Sequence, residues 1–232
     1  MTGGVRTAVL RSLWEKAPRD HHESADDLRR RRLVTAGFVF VGALVLALSL
    51  RIRPGSTAFY PATLGLAAVW TVGALASGPL HLGHTVRGQE AGSRPLAMPV
   101  VYGALLTGLF VVGGLVVRQV PWLDGQVRHV VDHAQHGSVP LLILVTALNG
   151  VAEELFFRGA LYAASTRSPV VVTTIAYTAA TLATGNLMLT FAALLLGLLV
   201  GFERRATGGV QAPIITHVLW SVSMLFVLPA LF

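Results

Sequence analysis

The chain has no cysteine among its 232 residues, a single lysine, and little charge of any kind, with Asp, Glu, Lys and Arg making up 12%. The missing thiols exclude disulfides, a cysteine nucleophile, a lipid-modified cysteine and a cysteine-ligated metal. The scarcity of charge, set against 53% hydrophobic residues and a mean hydropathy of +0.66, excludes an ordinary water-soluble domain. Acidic residues are few beyond the leader, and residues 139–232 contain three. The net charge of +7 does not point to nucleic acid. The cations lie at the ends of apolar runs instead of clustering on one face among aromatics, so no nucleic-acid partner is expected.

What is present is a succession of apolar runs. A helix needs about 20 mostly apolar residues to cross a bilayer, and runs near 33–50, 58–80, 98–120, 139–164, 169–184, 187–203 and 210–232 approach or exceed that. The expected fold is all-α, a polytopic transmembrane helix bundle of about seven spans. Residues 1–32 read as a basic leader, 33–138 as N-terminal transmembrane helices and loops, and 139–232 as a C-terminal helical core. The leader ends in Arg29-Arg30-Arg31-Arg32 and is long for a signal peptide, so it reads as the flank of an uncleaved anchor. Its stretch from Thr7 to Trp14 is weakly amphipathic, and a disordered tail is the preferred reading over a helix resting on lipid.

Short cytoplasmic loops collect Lys and Arg. With the N-terminus inside, the eight leader cations join Arg87, Arg94, Arg167, Arg204 and Arg205 on the inner side, against Arg51, Arg53, Arg118 and Arg128 outside. Thirteen against four favours a multi-pass protein of the inner (plasma) membrane with a cytoplasmic N-terminus and an external C-terminus. The connector Trp122 to Ser138 carries His129, Asp132, His133 and His136 at helical spacing. A divalent metal on that face is one reading. An amphipathic helix lying on the outer surface is the favoured one, and no metal or other cofactor is expected. Gly197 and Gly201 form a GxxxG pattern, an ordinary helix-packing device.

Two of the three acids in residues 139–232 are adjacent, Glu153 and Glu154, inside a long apolar run. An ionisable residue at mid-bilayer costs about 2.5–3.5 kcal/mol even on the mildest scale, so such groups face the bundle interior and mark function. Glu154 and Arg158 are four apart with the acid first, the favourable order for an intrahelical ion pair. Glu153 points about 100° away and has no cation in its own helix, which leaves it as the free acid or base. A structural ion-pair cluster joining helices is the bland alternative. His217 is the only histidine within an apolar span, on a helix that follows Gly208-Gly209 and carries Pro213 near its first turn. Ser221 lies one helical turn further on. A histidine and a small hydroxyl there are suited to steady a water or an oxyanion.

Glu153-Glu154-x-x-x-Arg158 followed two spans later by His217 resembles the CAAX prenyl protease and bacteriocin-processing family (CPBP, or Abi) over about residues 139–232. That family carries an EExxxR motif, then an aromatic-x-x-x-His motif, then a His-x-x-x-Asn or Asp motif, all meeting in a cavity within the membrane. The resemblance implies a metal-independent glutamic endopeptidase acting on a membrane-associated peptide or protein. Carried over residue by residue, it implies Glu153 as the water-activating base, Glu154 and Arg158 as the paired scaffold, and His217 as an oxyanion donor. The second motif reads Tyr177 and Thr181 here, and the third ends in Ser221. A threonine does not share a proton with water as imidazole does. Supporting roles therefore fall to Thr181, as a hydrogen-bond partner of the water, and to Asn186, as a replacement amide. Two other readings remain at this point: a noncatalytic relative that binds a membrane partner or lipidated peptide in the same cavity, and a small transporter with Glu153 as its proton-coupled carboxylate.

Overall fold

The computed structural model describes residues 10–17, 23–81, 97–135 and 138–232. Among them there is no strand, and besides the short turn Leu10–Trp14 they form eight helices: α1 (Ala25–Ser49), α2 (Phe59–Ala76), α3 (Ala97–Val117), α4 (Pro121–Gln135), α5 (Val139–Ala164), α6 (Pro169–Leu182), α7 (Leu187–Thr207) and α8 (Gln211–Leu231). Six of these, all but α4 and α6, are long and apolar enough to cross a membrane. This is a multi-pass membrane protein. The fifth expected span, α6, has 14 residues and so rises only about 21 Å, short of a hydrocarbon core of about 30 Å. Pro169 opens it, and Gly185, at φ 76°, turns the chain just beyond its end.

The first helix begins at Ala25, inside the basic leader. Ser24 explains the early start: its hydroxyl oxygen accepts from the Asp27 amide at 3.2 Å, and Asp26 and Asp27 lie in the positively polarised first turn. The Arg29–Arg32 run is thereby wound into helix, and two of its members tie elements together. Arg31 is buried, paired with Glu23 and donating to Pro79 O at 3.2 Å. Arg32 donates to Ala164 O at 3.2 Å, at the C-terminal end of α5.

Leu10–Trp14 is not a tail but a helical turn docked on α7. The Ala17 amide donates to Arg205 O at 3.0 Å, Arg205 returns a bond to Leu13 O at 3.2 Å, and Trp14 stacks on Phe202. The leader cations Arg6 and Arg19, together with Arg87, Arg94 and His136, lie outside the described residues.

The core is aromatic at its centre. Trp70 of α2 packs on Phe156 and Phe157 of α5, with ring centroids 4.8 and 4.9 Å apart. Room for that indole comes from Gly42 of α1, where an added Cβ would stand 2.1 Å from the Trp70 ring. The GxxxG pattern does the same between α6 and α7: a Cβ at Gly197 would meet Thr174 at 3.2 Å, and one at Gly201 would meet Val170 at 3.0 Å.

The Trp122–Ser138 connector contains most of the amphipathic helix α4, which ends at Gln135. Val127 and Val131 are buried while Arg128, paired with Asp124 at 2.7 Å, stays exposed. His133 turns inward. Its ring nitrogens stand 2.9 Å from His129 O and 2.8 Å from Ile52 O, so it ties α4 to the loop after α1.

Candidate active site

Glu153 and Glu154 sit where α5 changes character. Over Leu155–Leu161 its hydrogen bonding widens to the π register, a local feature found often at functional sites. A wider turn leaves main-chain carbonyls without their usual partner, and a buried carbonyl must find another. Arg204, at the end of α7, supplies it by donating from Nε to Arg158 O at 2.8 Å, with its guanidinium over the Tyr162 ring at 4.7 Å. Arg204 is therefore buried at a helix end, not a solvated loop cation as its sequence position suggested.

Arg158 points into the bundle and is fully buried, as is Glu154. Its Nη1 donates to Glu154 Oε1 at 3.1 Å and its Nη2 to Gly197 O at 3.2 Å, while the guanidinium lies 4.9 Å over the Tyr177 ring. The i,i+4 pair read from spacing is formed. Glu154 Oε1 also receives His217 Nδ1 at 2.7 Å. Because a carboxylate only accepts, the proton of that bond resides on Nδ1, and the other ring nitrogen, Nε2, faces Glu153 Oε2 at 3.9 Å. Gly150, one turn before Glu154, leaves space for the imidazole, whose carbon atoms lie 3.6 and 3.8 Å from where a Cβ would be.

Glu153 is the less enclosed acid, its side chain 13% exposed against 0% for Glu154. The Tyr177 hydroxyl hydrogen-bonds to it, but among the described residues its Oε2 has no partner. With both acids ionised and only Arg158 opposite them, the cluster carries one excess negative charge. Buried charge is tolerated when it is compensated, and one further proton shared within the group makes it neutral.

Of the residues singled out in the sequence, the structure brings together Glu153, Glu154, Arg158, Tyr177 and His217. It gives three others different partners or surroundings. Thr181 donates to Tyr177 O at 3.0 Å, back along its own helix. Asn186 caps α7, accepting from the Leu189 amide at 2.9 Å, and its amide nitrogen donates to Gln126 O at 2.7 Å. Ser221 lines an apolar cavity of about 460 Å³ with Trp220 and Met224 of α8, Phe110 of α3 and Val131 of α4.

Residues 135–223 match the family described as Rce1-like, type II CAAX prenyl endopeptidase Rce1-like. Over this stretch the chain is similar to the CAAX protease family. The matched stretch of this CAAX-protease-like membrane protein takes in Glu153, Glu154, Arg158, Tyr177 and His217 together. No curated protein and no solved structure matches the chain.

One buried acid was not singled out in the sequence. Glu203 of α7, the third acid of residues 139–232, is 1% exposed and accepts from Thr216 Oγ1 at 2.9 Å. Thr216 immediately precedes His217 and also lies 3.1 Å from Pro99 O at the start of α3. The available signal was an acid at the end of an apolar helix, but its neighbours Arg204 and Arg205 gave it the look of an interfacial charge.

Proposed function

We propose that the protein is an intramembrane, metal-independent endopeptidase that hydrolyses a membrane-associated peptide or protein, with Glu153 activating water. The observation that carries this reading is the gap between Glu153 Oε2 and His217 Nε2. At 3.9 Å it is too long for a direct hydrogen bond, yet two bonds of about 2.8 Å close on it through one water molecule.

Charge decides the division of labour. The neutral state of the cluster that best suits hydrolysis has both acids ionised and His217 doubly protonated. Glu153 takes a proton from water as the oxygen attacks the scissile carbonyl carbon. His217 donates Nδ1–H to Glu154 and Nε2–H to the developing oxyanion. Glu153 then passes its proton to the amide nitrogen as the C–N bond breaks, leaving a carboxylic acid, which keeps the second proton of the water, and an amine. Arg158 and Glu154 hold the geometry, and Tyr177 holds the second oxygen of Glu153. The 460 Å³ apolar cavity beginning one turn beyond His217 offers a place for the apolar part of the substrate. The N-terminus is cytoplasmic in this proposal, following the distribution of Arg and Lys.

The test is cleavage by the purified, reconstituted protein of a library of membrane-anchored peptides, read by mass spectrometry. Wild type is compared with Glu153→Ala and His217→Ala, each with and without chelator. Cleavage that survives chelation and is lost in both variants supports the reading. A second reading, a noncatalytic relative that binds such a peptide, is favoured by the Thr181 hydroxyl being turned to the backbone of its own helix. Peptide binding by all three proteins with cleavage by none selects it.

A further inference from the structure

A second cavity, of about 350 Å³, opens between α1, the end of α5 and the start of α6. Two arginines line it, Arg32 and Arg167, and among the described residues no carboxylate does. Arg32 is held in place by its bonds to Ala164 O and to Thr166 Oγ1, at 3.2 and 3.1 Å, which occupy Nε and Nη2. Among the described residues its Nη1 and the whole guanidinium of Arg167 have no partner. The turn that presents Arg167 ends at Ser168, which takes a left-handed φ of 46°, a conformation that a non-glycine residue holds only where its surroundings impose it.

The other walls are apolar: Ala36 on α1, Leu161 on α5 and Val172 on α6. Val172 is 41% exposed, and Leu33, beside Arg32, is 67% exposed; both lie on helix faces that a bilayer would cover. Cations at the polar end of the bundle thus stand over an apolar recess that continues into the hydrocarbon-facing surface. A soluble anion uses only the first of these features, whereas an anionic lipid uses both.

We propose that this cavity is a binding site for the phosphate-bearing headgroup of an anionic phospholipid, in the leaflet on the N-terminal side of the bundle. Arg167 and the free Nη1 of Arg32 take the phosphate oxygens, and the recess lined by Ala36, Leu161 and Val172 takes the first part of an acyl chain. Basic pockets between transmembrane helices recognise anionic headgroups in this way. The proposal stands independently of any proteolytic activity.

The experiment uses the delipidated full chain in neutral detergent, titrated with phosphatidylglycerol, phosphatidylcholine or inorganic phosphate and read by native mass spectrometry and thermal unfolding. Phosphatidylglycerol is expected to bind and stabilise the wild type, while phosphatidylcholine and phosphate do neither. An arginine near a lipid headgroup contributes about fivefold in affinity, so Arg167→Gln is expected to weaken phosphatidylglycerol binding about fivefold and Arg32→Gln/Arg167→Gln about twenty-five-fold. Among the described residues the Arg167 guanidinium has no hydrogen-bond or ion-pair partner, so its variant alone keeps the test meaningful if the double variant fails to fold. Arg128→Gln, at the other end of the bundle, is expected to change nothing. Equal binding of the two lipids, displacement of phosphatidylglycerol by phosphate, or unchanged binding in Arg167→Gln each overturns the proposal.

Discussion

Removing the arginine from the fully buried pair of Glu154 and Arg158 gives the most direct test of how the site is held. Arg158→Met keeps the bulk of the side chain and deletes the guanidinium. That loses the 3.1 Å bond to Glu154 and the 3.2 Å bond to Gly197 O, together with the stacking over Tyr177 at 4.9 Å. Breaking a buried pair from one side costs about 3–5 kcal/mol, chiefly because the remaining charge is stranded, and a desolvated cation–π contact adds about 2 kcal/mol at most. The expected destabilisation is therefore about 3–6 kcal/mol. Glu154→Gln in the same chain removes the stranded charge and is expected to recover about 2–3 kcal/mol of the loss, since an amide leaves only an ordinary polar group to satisfy. Reversible unfolding in mixed micelles, measured on wild type, both single variants and the double variant, gives the coupling energy directly. Additivity of the two substitutions within about 0.5 kcal/mol would refute the view that these side chains form one electrostatic unit.

Further outcomes follow from neighbouring contacts. Glu153→Gln is expected to leave the fold intact and reduce peptide cleavage by about 10²–10⁴-fold, the usual scale of a lost general base; undiminished kcat in a proteoliposome assay would remove Glu153 from the mechanism. Thr216→Val removes the hydrogen bond to the buried Glu203 carboxyl group and is expected to cost about 1–3 kcal/mol, with Thr216→Ser recovering most of it in the same unfolding measurement. Gly42→Ala pushes a methyl to 2.1 Å from the Trp70 ring and is expected to destabilise by at least about 1–3 kcal/mol. Gly65→Ala, where nothing lies within 4 Å of the added Cβ, is expected to be neutral or to stabilise by up to about 1 kcal/mol; similar unfolding curves for the two would contradict the packing described for α1 and α2.

The helices were legible because hydrocarbon allows few ways to satisfy a backbone, so apolar runs of sufficient length announce themselves. The Glu154 and Arg158 pair was legible because it is local, fixed by a four-residue spacing on one helix. His217 stood out by chemistry, as the single histidine in an apolar span, but its contact with Glu154 joins residues 63 positions apart, which no helical wheel displays. The π stretch has no pattern of residue types that marks it, and without it there was no reason to expect a vacant carbonyl that Arg204 fills. Asn186 is a different case. Its place after Gly185 and before the apolar run of α7 is an N-cap signature, and that local role accounts for the side chain that the family comparison had drawn toward the chemistry. The start of α1 was set by Ser24 and two aspartates rather than by hydropathy, which is why the basic run before residue 33 joined the helix.

The imidazole belongs to α8, whereas the carboxylates and Arg158 belong to α5 and the carbonyl that steadies Arg158 belongs to α7. Chain order therefore imposes a timetable. As the protein is synthesised and inserted, Glu154 and Arg158 can pair as soon as α5 has formed, but Arg158 gains its anchor only with α7, and Glu153, already met by Tyr177 of α6, has no imidazole opposite it until α8 arrives. Whatever chemistry the site performs is withheld from a half-made chain, and the helix that completes it follows α5, α6 and α7 in the order of synthesis.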